Sequence, residues 1–193
     1  MRKIQDHYFR LAKKEGFLAR SVYKLEELDR KYRIVSPGGR VLDLGSSPGS
    51  WSQFARKRVG KTGLIVAVDA QPMAWKGPEN VKFLQRDIFQ LQEGELRSFS
   101  DAFDVVLSDL APSTTGAKET DRARSVELAE SAFELARKFL RPGGNFVVKV
   151  FQGEDFPSFL RRVKSTFEFC KASKPSASRP ESAEIYIVGL RKH

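Results

Sequence analysis

Lys149 sits inside an apolar run, Phe146, Val147, Val148, Val150 and Phe151, in the stretch NFVVKVFQGEDF at residues 145–156. The run predicts a strand buried on both faces. An ammonium group there loses its hydration, and unless something compensates it, its pKa falls until the amine is neutral. A neutral lysine is a base, and burial beside another cation brings its pKa toward working pH. Such a base needs a carboxylate to orient it and a second cation to stabilise a developing alkoxide. Asp109 suits the first role and Lys24 or Arg179 the second. This chemistry fits a hydroxyl acceptor, whose proton must leave as the oxygen attacks.

Four aspartates, Asp43, Asp69, Asp87 and Asp109, stand at or just beyond the carboxyl ends of predicted strands. Open α/β sheets bind their ligands at that edge. The first such loop, DLGSSPGSW, places Gly45 and Gly49 four apart with Pro48 between them. It lacks the G-x-G-x-x-G pattern that brings a helix N-terminus up to a pyrophosphate. The loop resembles the glycine-rich loop of S-adenosylmethionine-dependent methyltransferases of the Rossmann-like class. That cofactor has no phosphate; it needs room near the backbone and an acidic group for its ribose hydroxyls. Asp69 lies 24 residues beyond Gly45, near the ribose-carboxylate spacing of about 20. Asp87, closing the third strand, suits the adenine amino group. A nicotinamide enzyme is the rival reading, and the missing third glycine counts against it.

Two other acceptors lose their usual signatures. Attack on pyrimidine C5 usually needs a nucleophilic cysteine, and the single Cys170 lies away from the loops. Exocyclic amines commonly go with Asn-Pro-Pro-aromatic after strand four, where this chain reads SDLAP.

The elements that must position these groups follow from hydrophobic periodicity. Residues 5–34 read as helical with a break at Gly16, and SPGGR at 36–40 is a turn. Strands are predicted at VLDLG, at 63–70, at 80–87 and at 103–112, then at the lysine-bearing run, at 168–173 and at 184–191. Helices are predicted at 51–59, 121–140 and 157–167, with RPGG stopping the second of these. Apolar strands alternating with helices give an α/β fold: one domain with a mostly parallel seven-stranded sheet and helices on both faces. Residues 1–35 form a basic helical segment and residues 36–193 the core.

The 193 residues suit one domain, and the net charge of +10 is concentrated at the two ends. Residues 1–33 hold ten Lys/Arg against five Asp/Glu, and residues 161–193 eight against three, whereas the middle balances at sixteen of each. That distribution favours a polyanionic partner, nucleic acid first. One cysteine and two histidines exclude an intramolecular disulfide and the usual Cys/His zinc sites, so no metal is expected. No apolar run approaches the ~20 residues that span a bilayer, and the N-terminus has no signal-peptide core, so a cytoplasmic protein is expected.

Five stretches, ARSVYKLEEL, VLDLGSSPGSWSQ, SDLAPSTTG, GGNFVVKVFQGEDF and SRPESAEIYIV, resemble in order those of the FtsJ family, from about residue 7 to residue 190. The resemblance implies an S-adenosyl-L-methionine-dependent RNA 2′-O-ribose methyltransferase with a Lys-Asp-Lys-Glu tetrad. Here that tetrad falls on Lys24, Asp109, Lys149 and Glu184, with Lys149 as proton acceptor. Cofactor contacts fall on Gly49, Trp51, Asp69, Asp87 and Asp109, beside the loop glycine Gly45. The implied substrate is a uridine of large-subunit ribosomal RNA or the large ribosomal subunit, with no obligate protein partner. Transfer RNA, a silent RNA-binding assembly factor and a small-molecule O-methyltransferase are the alternatives. The chain departs from the family at Ser46 and Ser47, where small apolar residues are frequent, and at Ser113, where relatives can carry asparagine. Glu181 adds a carboxylate near Glu184.

Overall fold

The computed structural model describes residues 2–113, 115–179 and 181–193, with side chains from residue 7 onward. Helices α1 (Arg2–Glu15) and α2 (Val22–Tyr32) precede strand β1 (Arg40–Leu44), helix α3 (Ser50–Val59) and strands β2 (Leu64–Asp69) and β3 (Val81–Gln85). A short helix α4 (Glu93–Arg97) leads to β4 (Phe103–Ser108), the long helix α5 (Lys118–Phe139) and β5 (Leu140–Phe151). Helix α6 (Phe156–Lys164) and strands β6 (Phe167–Ser173) and β7 (Glu184–Lys192) complete the chain. The seven strands form one sheet in the order β3-β2-β1-β4-β5-β7-β6. β7 runs antiparallel to both neighbours, and the other pairs are parallel. The α/β class and the seven-stranded sheet match the expectation from sequence.

Alternation along the strands sends their side chains into two cores. Leu42, Leu44, Val106, Phe146 and Val148 pack beneath α5 and α6 with Phe133, Phe139 and Phe159. Val41, Leu107, Val147 and Tyr186 pack on the other face against Leu25 and Leu28 of α2 and Phe54 and Ala55 of α3. The basic N-terminal segment is thus half core. Its helices divide where expected, at Gly16, whose φ of +75° is a conformation glycine adopts freely.

The segment RPGG follows the end of α5 at Phe139, as expected of a helix stop, but it lies inside β5 rather than before it. Leu140 already pairs with Phe103, and pairing resumes at Asn145 opposite Val105. Residues 141–144 therefore bulge out of β5, and the strand begins directly after α5. The sequence reading also passed over the 3₁₀ turn at Ile88–Gln90 and α4, which are too short for hydrophobic periodicity to register. Among the described residues no helix is long and apolar enough to cross a membrane.

Candidate active site

At the carboxyl edge of β1, β2 and β4 lies a cleft of about 670 Å³, walled by Gly45, Asp69, Asp87 and Asp109 together with Ile88, Phe89, Ser113 and Arg124. Its glycine loop is built close. A Cβ on Gly45 would stand 2.8 Å from the Leu110 backbone nitrogen, at a φ of +76°. Gly49, at the start of α3, would meet Trp75 Cβ at 2.8 Å. Asp69 ties the loop down: its carboxylate accepts from Ser47 N at 2.9 Å and from Gln71 N at 2.8 Å. Asp87 accepts from Phe89 N at 3.0 Å with one oxygen, which shapes the turn after β3. Carboxylates with accepting capacity left over, beside the apolar wall of Ile88, Phe89 and Leu110, fit a nucleoside whose hydroxyls and amino group donate.

Lys149 is 7 % exposed. Its amine donates to the Asp109 carbonyl oxygen at 2.7 Å and lies 3.1 Å from Asp109 Oδ1. Tyr186, opposite Lys149 in the β5–β7 register, donates its hydroxyl to the same Oδ1 at 2.7 Å. Fully buried, Tyr186 has its pKa raised well above 10, first by desolvation and then by the Asp109 charge. Lys24 and Glu184 form a second pair with Nζ and Oε1 2.6 Å apart, an ion pair without the alignment of a hydrogen bond. Lys24 Nζ stands 5.8 Å from the Tyr186 ring centre, so the tyrosine lies between the two pairs. A small pocket of about 250 Å³ opens beside them, lined by Arg20, Lys24, Arg179, Ser182 and Glu184.

The structure thus brings Lys149 and Asp109 together at the cleft and Lys24 and Glu184 beside them. It agrees with the sequence reading in giving Lys149 the Asp109 carboxylate as its partner, and differs in the place of the second cation. The charge against that amine is the Asp109 carboxylate, while Lys24 is engaged by Glu184 and Arg179 lies on the pocket wall. Gly49 and Trp51 stand outside the cleft lining. Trp51 is 2 % exposed, donates its indole N–H to Ser21 O at 2.9 Å and packs on Tyr186 with ring centres 5.9 Å apart. Asp43, the fourth strand-end aspartate, lies in the core, where Ser52 Oγ donates to it at 2.6 Å. Ser46 is buried, and Ser47 Oγ donates to Pro72 O at 3.1 Å.

The sequence reading missed Tyr186 and the wall that α5 contributes through Arg124, Glu127 and Leu128. Tyr186 had a signal. It lies two residues beyond Glu184 on one strand, and period-two alternation puts both on the same face.

Fold and cleft together define a Rossmann-like methyltransferase that draws its methyl group from S-adenosyl-L-methionine. The profile of the FtsJ-like methyltransferase family matches residues 17–192, and the chain belongs to that family. It is 53% identical over 189 residues to the ribosomal RNA large subunit methyltransferase E of Syntrophobacter fumaroxidans, covering 97% of this chain and 96% of that one. The protein of the same name from Bdellovibrio bacteriovorus is 48% identical over 191 residues, with 97% of each chain covered. Among solved structures, a Plasmodium falciparum protein described as a ribosomal RNA methyltransferase superposes with a TM-score of 0.81 at 28% identity. That match covers 91% of this chain and 98% of the other.

Proposed function

We propose that this enzyme methylates a ribose 2′-hydroxyl of large-subunit ribosomal RNA, at a uridine, with Lys149 as general base. The observation that carries the reading is the buried amine of Lys149, held by Asp109 at the end of a cleft shaped for a nucleoside. S-adenosyl-L-methionine, when bound, supplies an electrophilic methyl group on its sulfonium. Asp69 would hold the ribose hydroxyls of that cofactor and Asp87 its adenine amino group, with Gly45 in the cleft wall between them and Gly49 supporting the loop from behind. Asp109 orients the Lys149 amine, and Tyr186 fixes the Asp109 carboxylate from the opposite side. Lys149 takes the proton that the 2′-hydroxyl gives up, and the Lys24–Glu184 pair sets the ribose in line. Positioning of this kind supplies much of the rate.

The basic helical segment within residues 1–35 adds to the RNA-binding face, and the hydroxyl acceptor itself restricts the substrate to RNA. The large ribosomal subunit in the cytoplasm is the partner this reading names.

The test is incubation with methyl-labelled S-adenosyl-L-methionine and two unmodified substrates, large ribosomal subunits and bulk transfer RNA, followed by digestion to nucleosides. Labelled 2′-O-methyluridine from the ribosomal sample is expected; a labelled base would exclude hydroxyl chemistry. Lys149→Ala should lower turnover by about 10²–10⁴-fold, the usual worth of a general base, with cofactor affinity retained by calorimetry. Unchanged turnover would remove Lys149 from that role.

A further inference from the structure

The connection from β6 to β7, residues 174–183, joins two antiparallel neighbours for which a two-residue turn would suffice. Its length is held in a built shape. Lys174 Nζ donates to Ser182 O at 2.7 Å across the base, and Ser178 N donates to Pro175 O at 3.0 Å. Ala177 and Ser178 are buried, whereas Arg179 is exposed and forms one wall of the pocket beside Lys24 and Glu184.

The polar ties of this loop to the helical side of the molecule converge on Ser176, whose Oγ lies 3.5 Å from Tyr8 OH of α1 and which Glu27 of α2 holds. Glu27 Oε2 accepts from Ser176 N at 2.8 Å and from Ser176 Oγ at 2.5 Å. Hydrogen bonds to an ionised acceptor are the strong kind. Glu27 lies three residues beyond Lys24 on α2, so both side chains project from one helix face. Helix α2 therefore meets the connection twice: through Glu27 at Ser176 and through Lys24 at Glu184, where β7 begins. Arg179 stands three residues beyond Ser176 in the same loop, where its carbonyl oxygen accepts from Ser182 N at 3.1 Å, so the latch at Ser176 sets where this pocket wall stands.

We propose that Glu27 is a positioning residue that latches the 174–183 loop to α2 and so fixes Arg179 and the acceptor pocket for the RNA strand. The proposal rests on the RNA-methylating reading of the site. Glu27 touches neither the cofactor cleft nor the reacting atoms, so its loss acts on the RNA side alone.

Glu27→Ala, Glu27→Gln and Ser176→Ala are compared with the unaltered chain. The measurements are turnover on unmodified large ribosomal subunits, affinity for the same RNA by filter binding, cofactor affinity by calorimetry and amide exchange at Ser176. Glu27→Ala should raise the KM for RNA about tenfold with kcat within about twofold, the mark of weakened RNA binding with the chemical step intact. Cofactor affinity should stay constant, Ser176 exchange should accelerate, and Glu27→Gln should fall between the two. Should Glu27→Ala fail to fold, Ser176→Ala carries the test, because it deletes one hydroxyl and leaves the backbone bond. An unchanged RNA KM, or equal losses in RNA and cofactor affinity, would overturn the latch. If the unaltered chain methylates no RNA, the functional reading falls, and the latch is then judged on filter-binding affinity, where equal binding by Glu27→Ala refutes it.

Discussion

Asp43 is fully buried near the carboxyl end of β1, with Oδ2 bonded to Ser52 and Oδ1 without a partner among the described residues. Burial raises its pKa from the ordinary 3.8 to about 7, with small upward contributions from Asp109 and Asp69, while the Ser52 hydrogen bond pulls it down. The unfolded chain ionises this carboxyl from pH 3.8 upward, and the folded chain keeps the proton until about pH 7. Between those values the folded state binds more protons, so this group's contribution to stability falls as pH rises and levels off above the window. Asp43→Asn removes the titration. Relative to the unaltered chain, the variant should gain stability steadily from about pH 4 to pH 7, by at most about 4 kcal/mol. Denaturant midpoints across that range check it; a constant difference would show that Asp43 does not titrate there.

Helix α3 begins at the glycine loop, and Trp51 in its first turn links the loop to α2 and β7 rather than to the cleft. The indole therefore fixes the helix in place. Trp51→Phe keeps the ring against Tyr186 and deletes the donor to Ser21 O. That change should cost about 0.5–1.5 kcal/mol of stability, the net worth of one hydrogen bond, because Ser21 O keeps the Lys24 N–H at 3.1 Å. Cofactor affinity should change less than about threefold. A loss beyond tenfold with unaltered stability would instead make Trp51 a direct cofactor contact. The bulge in β5 works on the same scale: by absorbing residues 141–144 it sets the register that places Val148 opposite Ser108, the last residue of β4, and Lys149 one residue further on, beside Asp109.

Over the whole molecule, a net charge of +10 sits mostly at the two ends of the sequence. The fold joins parts of those ends: Tyr8 OH and Ser176 Oγ are 3.5 Å apart, and Glu27 reaches Ser176. Arg20 and Lys24 of the first end and Arg179 of the second line one pocket, and a shared basic wall predicts strong salt dependence. With about four phosphate contacts, RNA affinity should fall about 10²-fold between roughly 50 and 200 mM salt. Filter binding across that range tests it, and a flat response would exclude phosphate contacts as the source of affinity.

Much of this architecture was legible along the chain because it is written in local pattern. Buried strands announce themselves by unbroken apolar runs, and the aspartates lie at strand ends whatever the sheet order. A lysine amid five apolar residues is conspicuous in one dimension. α4 and the RPGG bulge were not legible, since the first is only five residues long and the second depends on pairing with β4. The sequence by itself determined which residues carry charge into the interior and which elements bear them. Tertiary structure alone decided the pairing: Lys149 with Asp109, Lys24 with Glu184, and Tyr186 between them. The reason is physical. Each pairing joins residues 40 to 160 positions apart, and its partner is chosen by the β5–β7 register and by the seat of α2 on the sheet. Those depend on packing over the whole core, and no local window of sequence contains it.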